Sequence, residues 1–211
     1  GEVPVDPRYA VAYVDDGSGN RVYYRTLGNL FRTRTEGDLD IRLTKDAEGL
    51  DLKVPVVVTG RSVSISSDGG YFTISGISAK AGGFFVGAGG ELTFENVTLD
   101  GFSGEWFVRI PEDGGDFTLG ENSRLNGFKV IGSPDPGASG FPNGVIVMRG
   151  GKMKMSPNSL ISGCSYYNNV GSVISLYGGV LDIEGGSIIG CSAEMNGGAI
   201  YYYPRYDGAA L

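Results

Sequence analysis

Apolar and polar residues alternate along most of this chain in short runs that end at glycine or asparagine. Such runs read as strands with one face in a core and the other in water. Glycine pairs stand at Gly69-Gly70, Gly89-Gly90, Gly114-Gly115, Gly150-Gly151 and Gly178-Gly179, followed by YFTI, ELTF, DFTL, KMKM and VLDI. From the second pair onward a turn and a second run come next (ENVTLDGF, ENSRLNGF, PNSLISGC, EGGSIIGC). A third run then leads back to the next pair (WFVRI, VIVM, SVISL, AIYYY). The second glycines are 20, 25, 36 and 28 residues apart, and the 36 contains an inserted loop over 132–143. No helical period separates the runs. Three short strands per repeat with corners between them predict an all-β, parallel β-helix, a three-walled solenoid of about six coils.

Each strand position keeps its character from repeat to repeat. The first wall is expected to point Leu92, Phe117, Met153 and Leu181 inward, then Phe94, Leu119, Met155 and Ile183; the second wall, Leu99, Leu125, Ile161 and Ile188. On the third wall Ile146, Ile174 and Ile200 are expected inside, with Met148, Leu176 and Tyr202 beside them. A slip of one residue would turn these rows into water, so the register is strongly specified. At the corner after the first strand stand Asn96, Asn122, Asn158 and Gly185, residues that tolerate the left-handed backbone region. A bend with positive φ accounts for them, with stacked amides expected to add hydrogen bonds along the axis.

Residues 1–34 differ. YAVAYV and RVYYRT flank the polar turn DDGSGN, and Leu27 to Arg32 suit a short helix. A solenoid must cover its first apolar rung, and this segment is the expected N-terminal cap, with the β-helix running over 35–211. At the other end Asp207-Gly208 stands where the next glycine pair belongs, and Ala209 to Leu211 open another first strand. The rod is therefore expected to stop mid-repeat, where either a further domain follows or the open coil makes end-to-end contact with another chain. The opening GEVPVDP carries no signal-peptide pattern, and the chain is read as a mature or excised segment.

Composition narrows the function. The 211 residues include 37 glycines and no histidine, which removes imidazole as base, metal ligand or neutral-pH switch. The net charge of −7, with scattered signs, argues against nucleic-acid and anionic-membrane partners. No apolar run is long enough for a spanning helix, so direct membrane insertion is not expected.

The stretch GGVLDIEGGSIIGCSAEMNGGAIYYY (178–203) resembles the glycine-rich repeats of adhesin-like bacterial and archaeal surface proteins, and Gly197-Gly198-Ala199-Ile200 is similar to the GGAI motif of chlamydial polymorphic outer-membrane proteins. TEGDLDIRLTKD (35–46) resembles the entry of such domains. The resemblance covers about residues 35–208 and implies a right-handed, pectate-lyase-like β-helix displayed outside the cell. Cys164 and Cys191 depart from it, standing where Asn or Thr is usual.

Many helices of this type are carbohydrate lyases or hydrolases, which need grouped carboxylates. Here the outward first-wall columns read Tyr71, Glu91, Asp116, Lys152, Val180 and Thr73, Thr93, Thr118, Lys154, Asp182. Opposite charges on adjacent coils, Asp116 with Lys152 and Lys154 with Asp182, make a solvated salt-bridge face instead. Glu112, Asp113 and Asp116 are secondary candidates for a cation such as Ca²⁺, and Asp15 to Asn20 reads as a hairpin turn. No cofactor is expected. Cys164 and Cys191 share one column below Phe102 and Phe128 and are read as stacked, buried thiols. The outward aromatic residues of the third wall, Arg149, Tyr177 and Tyr203 in one column and Tyr201 in another, together with Phe141 of the insertion, are the candidate binding residues. An aromatic ladder stabilising a flat wall is the alternative reading of the tyrosines, and a plain connector that of the loop. The expected role is a non-enzymatic, cell-surface module, adhesin-like or a stalk, meeting a glycan or protein on a host or neighbouring cell. A carbohydrate-binding or degenerate carbohydrate-active helix is the alternative.

Overall fold

In a computed structural model of the protein, which describes residues 5–131, 143–167, 171–194 and 197–203, the chain winds as a parallel β-helix. Leu39, Val63, Leu92, Phe117, Met153 and Leu181 pair in register, six rungs with five complete turns between them. At about 4.8 Å per rung this column is about 24 Å long. Beside it run Ile41, Ile65, Phe94, Leu119, Met155 and Ile183. The second wall stacks Ala47, Ile74, Leu99, Leu125, Ile161 and Ile188. The third stacks Val108, Ile146, Ile174 and Ile200 beside Ile110, Met148, Leu176 and Tyr202. The expected inward rows are thus buried, except in the last described rung, where Ile183 and Tyr202 are exposed.

Two features of the winding differ from the sequence reading. First, Phe72–Ser75 lies on the second wall, between Ala47–Glu48 and Val97–Asp100. The first-wall partner of Glu91 is Ser62 rather than Tyr71, and that of Thr93 is Ser64 rather than Thr73. Second, the chain makes another short parallel ribbon between the second and third walls, through Ser78–Ala79, Ser103–Gly104, Lys129–Ile131, Ser165–Tyr167 and Ser192–Ala193.

The glycine pairs from Gly89-Gly90 onward mark the corner between the third wall and the next first wall, whereas Gly69-Gly70 lies between the first and second walls; at the former the reason is steric. A Cβ on Gly90 would lie on the carbonyl oxygen of Val58, and one on Gly115 would lie on that of Gly90. Successive coils approach backbone to backbone there, which admits no side chain. In the coil before, register places Arg61 opposite Gly90. Its side chain is buried, donating from Nε to Val57 O (3.0 Å) and from Nη1 to Gly37 O (3.3 Å), so it ties its own coil to the preceding one.

The core is aromatic at its centre. Phe107 meets Phe84, Phe94, Phe102 and Phe128 at ring-centroid distances of 5.6, 5.8, 5.3 and 4.8 Å. The helix Leu27–Thr33, N-capped by Thr26 accepting from the Asn29 N–H, buries Leu27, Leu30 and Phe31 over the first rung. Phe31 meets Phe84 edge-on at 5.7 Å. The hairpin Ala12–Asp15 and Arg21–Tyr24 pairs antiparallel with Leu39–Leu43, satisfying the backbone groups of the leading edge strand.

Candidate binding surface

The tyrosines converge at the last described strand of the third wall, Ile200–Tyr202, and its continuation. Tyr201 and Tyr203, two apart on one strand, project to the same side. Their rings are parallel within 4° at 6.2 Å, and Tyr177 sets its ring against both, at 5.8 and 6.4 Å. Tyr203 is 51% exposed, Tyr201 is half-buried and Tyr177 is buried at 7%.

This is a correction to an open stripe along the wall. Arg149 pairs with Gly178, not Tyr177, because the register shifts after Met148. The extra residue takes Tyr177 out of the ladder and lays it under Tyr201 and Tyr203. Val147 and Ser175 in the neighbouring outward column are fully buried, and Arg149 is half-buried. The exposed aromatic area is therefore a patch at the last described rung of the wall. Phe141 and nearly all of the 132–143 loop lie outside the described residues, as do Asp207-Gly208 and the rest of 204–211.

The corner asparagines have the positive φ that the sequence required: 52° at Asn96, 56° at Asn122 and 60° at Asn158. The Asn96 amide does not stack on the next amide; its Nδ2 donates to Gly70 O in the preceding coil (2.8 Å). A polar ladder that the sequence did not suggest runs along the following corner. Asn126 Nδ2 donates to Asp100 Oδ1 (2.6 Å), and Ser162 Oγ donates to Asn126 Oδ1 (2.9 Å). Its only signal is that Asp100, Asn126 and Ser162 each precede a glycine by one residue. The single tryptophan, Trp106, also passed unnoticed. It is buried beside Gly82 with the Arg109 guanidinium 4.4 Å from its ring centroid, and burial brings the Arg109 pKa down to about 10 against the pull of Glu105.

The charged face is solvated, but its pairs are diagonal. Lys152 reaches Asp182 (2.9 Å) rather than Asp116, and Lys154 reaches Glu184 (2.7 Å) rather than Asp182. Long side chains lean along the strand and meet the partner two residues on. Glu112, Asp113 and Asp116 are each exposed, and among the described residues no three acidic or cysteine side chains group as a metal site. In the hairpin turn Asp16 accepts from the backbone N–H groups of Ser18 (2.8 Å) and Asn20 (3.2 Å), which holds its carboxyl below the ordinary range. An open depression of about 460 Å³, with Val57 in its lining, lies between Thr35–Asp38 and Thr59–Arg61.

Cys164 and Cys191 do stand in the column of Phe102 and Phe128, at the start of the short fourth ribbon, Cys164 buried and Cys191 half-buried. Among the described residues no helix is long and apolar enough to cross a membrane. No family model, no curated protein and no solved structure matches this chain.

Proposed function

We propose that this chain is a non-enzymatic module of an exported cell-surface protein, a β-helical stalk that presents an aromatic patch to a glycan or protein partner. The observation that carries the reading is the geometry of Tyr201 and Tyr203: parallel rings on one strand, braced from below by buried Tyr177. Two rings fixed before binding lose little side-chain entropy on contact and offer apolar faces with hydroxyl tips, which suits stacking on sugar rings or on a partner's side chains. The rod supplies rigidity, since every rung is tied to the next by in-register strands. The resemblance of the glycine-rich repeats to adhesin-like surface proteins supports display outside the cell.

The test is a glycan array together with binding to intact cells, read for the parent chain and for Tyr203→Ala and Tyr201→Ala. Loss of an anchor aromatic is worth about 2 kcal/mol or more at an interface, so about thirtyfold weaker binding or more is expected with folding intact. Binding that is unchanged in both variants, or no partner on either platform, would remove the patch from the account.

A further inference from the structure

Two cysteines in a chain with no histidine and no grouped metal ligands among the described residues call for a chemistry of their own. They are 27 residues apart in sequence and one rung apart in space. Ser162 pairs with Ile189 and Ser165 with Ser192, so Cys164 and Cys191 stack in one column. Neighbouring parallel strands put their α-carbons about 4.8 Å apart, inside the span a disulfide bridges. Each sulfur occupies the same niche in its own coil: Cys164 Sγ is 3.4 Å from Ser162 O, and Cys191 Sγ is 3.6 Å from Ile189 O. Each also faces a carbonyl of the coil before, Leu125 O at 3.7 Å and Ile161 O at 3.9 Å. Gly163 and Gly190, with φ of 60° and 62°, set the bend ahead of each cysteine and give both side chains the same departure direction.

We propose that Cys164 and Cys191 are an oxidisable pair that closes into an inter-coil disulfide on meeting a low-molecular-weight disulfide, with Cys191 as the entry thiol. Cys191 is the half-buried member and Cys164 the buried one, so a soluble oxidant reaches Cys191 first. The neighbouring Cys164 thiol also favours the Cys191 thiolate, holding its pKa below the ordinary thiol value, while the same neighbour and burial raise Cys164. The Cys191 thiolate attacks one sulfur of the oxidant R–S–S–R. That S–S bond breaks, RS⁻ leaves and takes up a proton, and Cys191 carries a mixed disulfide. Cys164 then gives up its proton and attacks Cys191 Sγ, expelling the second RS⁻, which is protonated in turn. Two protein thiols are oxidised to one disulfide and one oxidant disulfide is reduced to two RSH. The product clasps the last two described coils, which also bear the tyrosine patch.

The experiment exposes the native protein to oxidised glutathione, traps remaining thiols by alkylation and digests at glutamate, since Glu184 lies between the two cysteines. The expected result is loss of both alkylation sites in a monomer, with the Cys164 peptide joined to the Cys191 peptide until reductant is added. Cys164→Ser is expected to stop at a glutathione adduct on Cys191, and Cys191→Ser to take up none. Two alkylated cysteines in the parent chain, a persistent mixed disulfide, or disulfide-linked dimers would overturn the proposal whatever the variants do. Equal adduct formation on the two variants would overturn the order of attack.

Discussion

Truncating Phe107 is the sharpest probe of the core. Its ring is fully buried and touches four others from three successive coils, with its nearest centroid 4.8 Å away on Phe128. Phe→Ala in a core costs about 3–5 kcal/mol through lost transfer energy and the cavity left behind. Each edge-on or stacked ring contact adds about 0.5–1.5 kcal/mol beyond its area. Stacked backbones cannot move inward to fill the gap, because register fixes their spacing, so Phe107→Ala belongs at the upper end, about 4–5 kcal/mol. With a urea slope of about 2.5 kcal/mol/M the midpoint should fall by about 1.5–2 M. Ile131→Ala, an exposed position at 63%, should stay within about 0.5 kcal/mol of the parent. Equilibrium urea unfolding followed by far-UV circular dichroism measures both. A Phe107→Ala loss below about 1 kcal/mol, or equal losses at the two sites, would refute the reasoning, because the ring would then not lie where the packing of three coils depends on it.

At the corner, Asn122 has φ of 56°, so Asn122→Gly should be nearly neutral and Asn122→Ala should cost about 1–2 kcal/mol by urea titration; the reverse order would contradict a left-handed bend. Gly90→Ala should cost about 3 kcal/mol or more in the same assay, since its methyl group would meet the Val58 carbonyl, and a neutral result would mean the coils do not close on each other there. Burial, and then the hydrogen bond from Tyr13 Oη to Asp68 Oδ2 (2.8 Å), raise the Tyr13 pKa. The folded state thus favours the protonated phenol: its contribution is complete below the unfolded value of about 10 and is lost as pH rises toward the folded value. Stability measured from neutral to strongly alkaline pH should fall less steeply in Tyr13→Phe, and identical slopes would exclude this coupling.

The solenoid was legible because its columns repeat one residue type at one period, and a period of two with in-register rows has few other solutions. What escaped has particular causes. YFTI alternates as well as any first-wall strand, and Gly69-Gly70 precedes it, so nothing local distinguishes its second-wall position; the true corner in that coil is Gly60-Arg61, hidden because an arginine replaces a glycine. The fourth ribbon is made of strands as short as Ser78–Ala79 and Ser103–Gly104, too brief and too small to show alternation. At the tyrosine patch, Arg149-Gly150-Gly151 and Tyr177-Gly178-Gly179 align without a gap, yet the backbone shifts register between them, and hydrophobic pattern carries no trace of such a shift. The aromatic residues themselves were visible; that Tyr177 braces Tyr201 and Tyr203 from a buried position depends on that shift.

The central claim is that residues such as Ser64, Thr93, Thr118, Lys154 and Asp182 stand over one another on successive coils. Electron-electron distance measurements on spin labels placed in pairs, in a background without Cys164 and Cys191, test it directly. Ser64 paired with Asp182, four rungs away, should separate by about 19 Å, and Ser64 with Lys154, three rungs away, by about 14 Å, growing in even steps of about 4.8 Å per rung. Distances that do not increase in that order, or that fail to scale with rung number, would contradict the stacked-coil account.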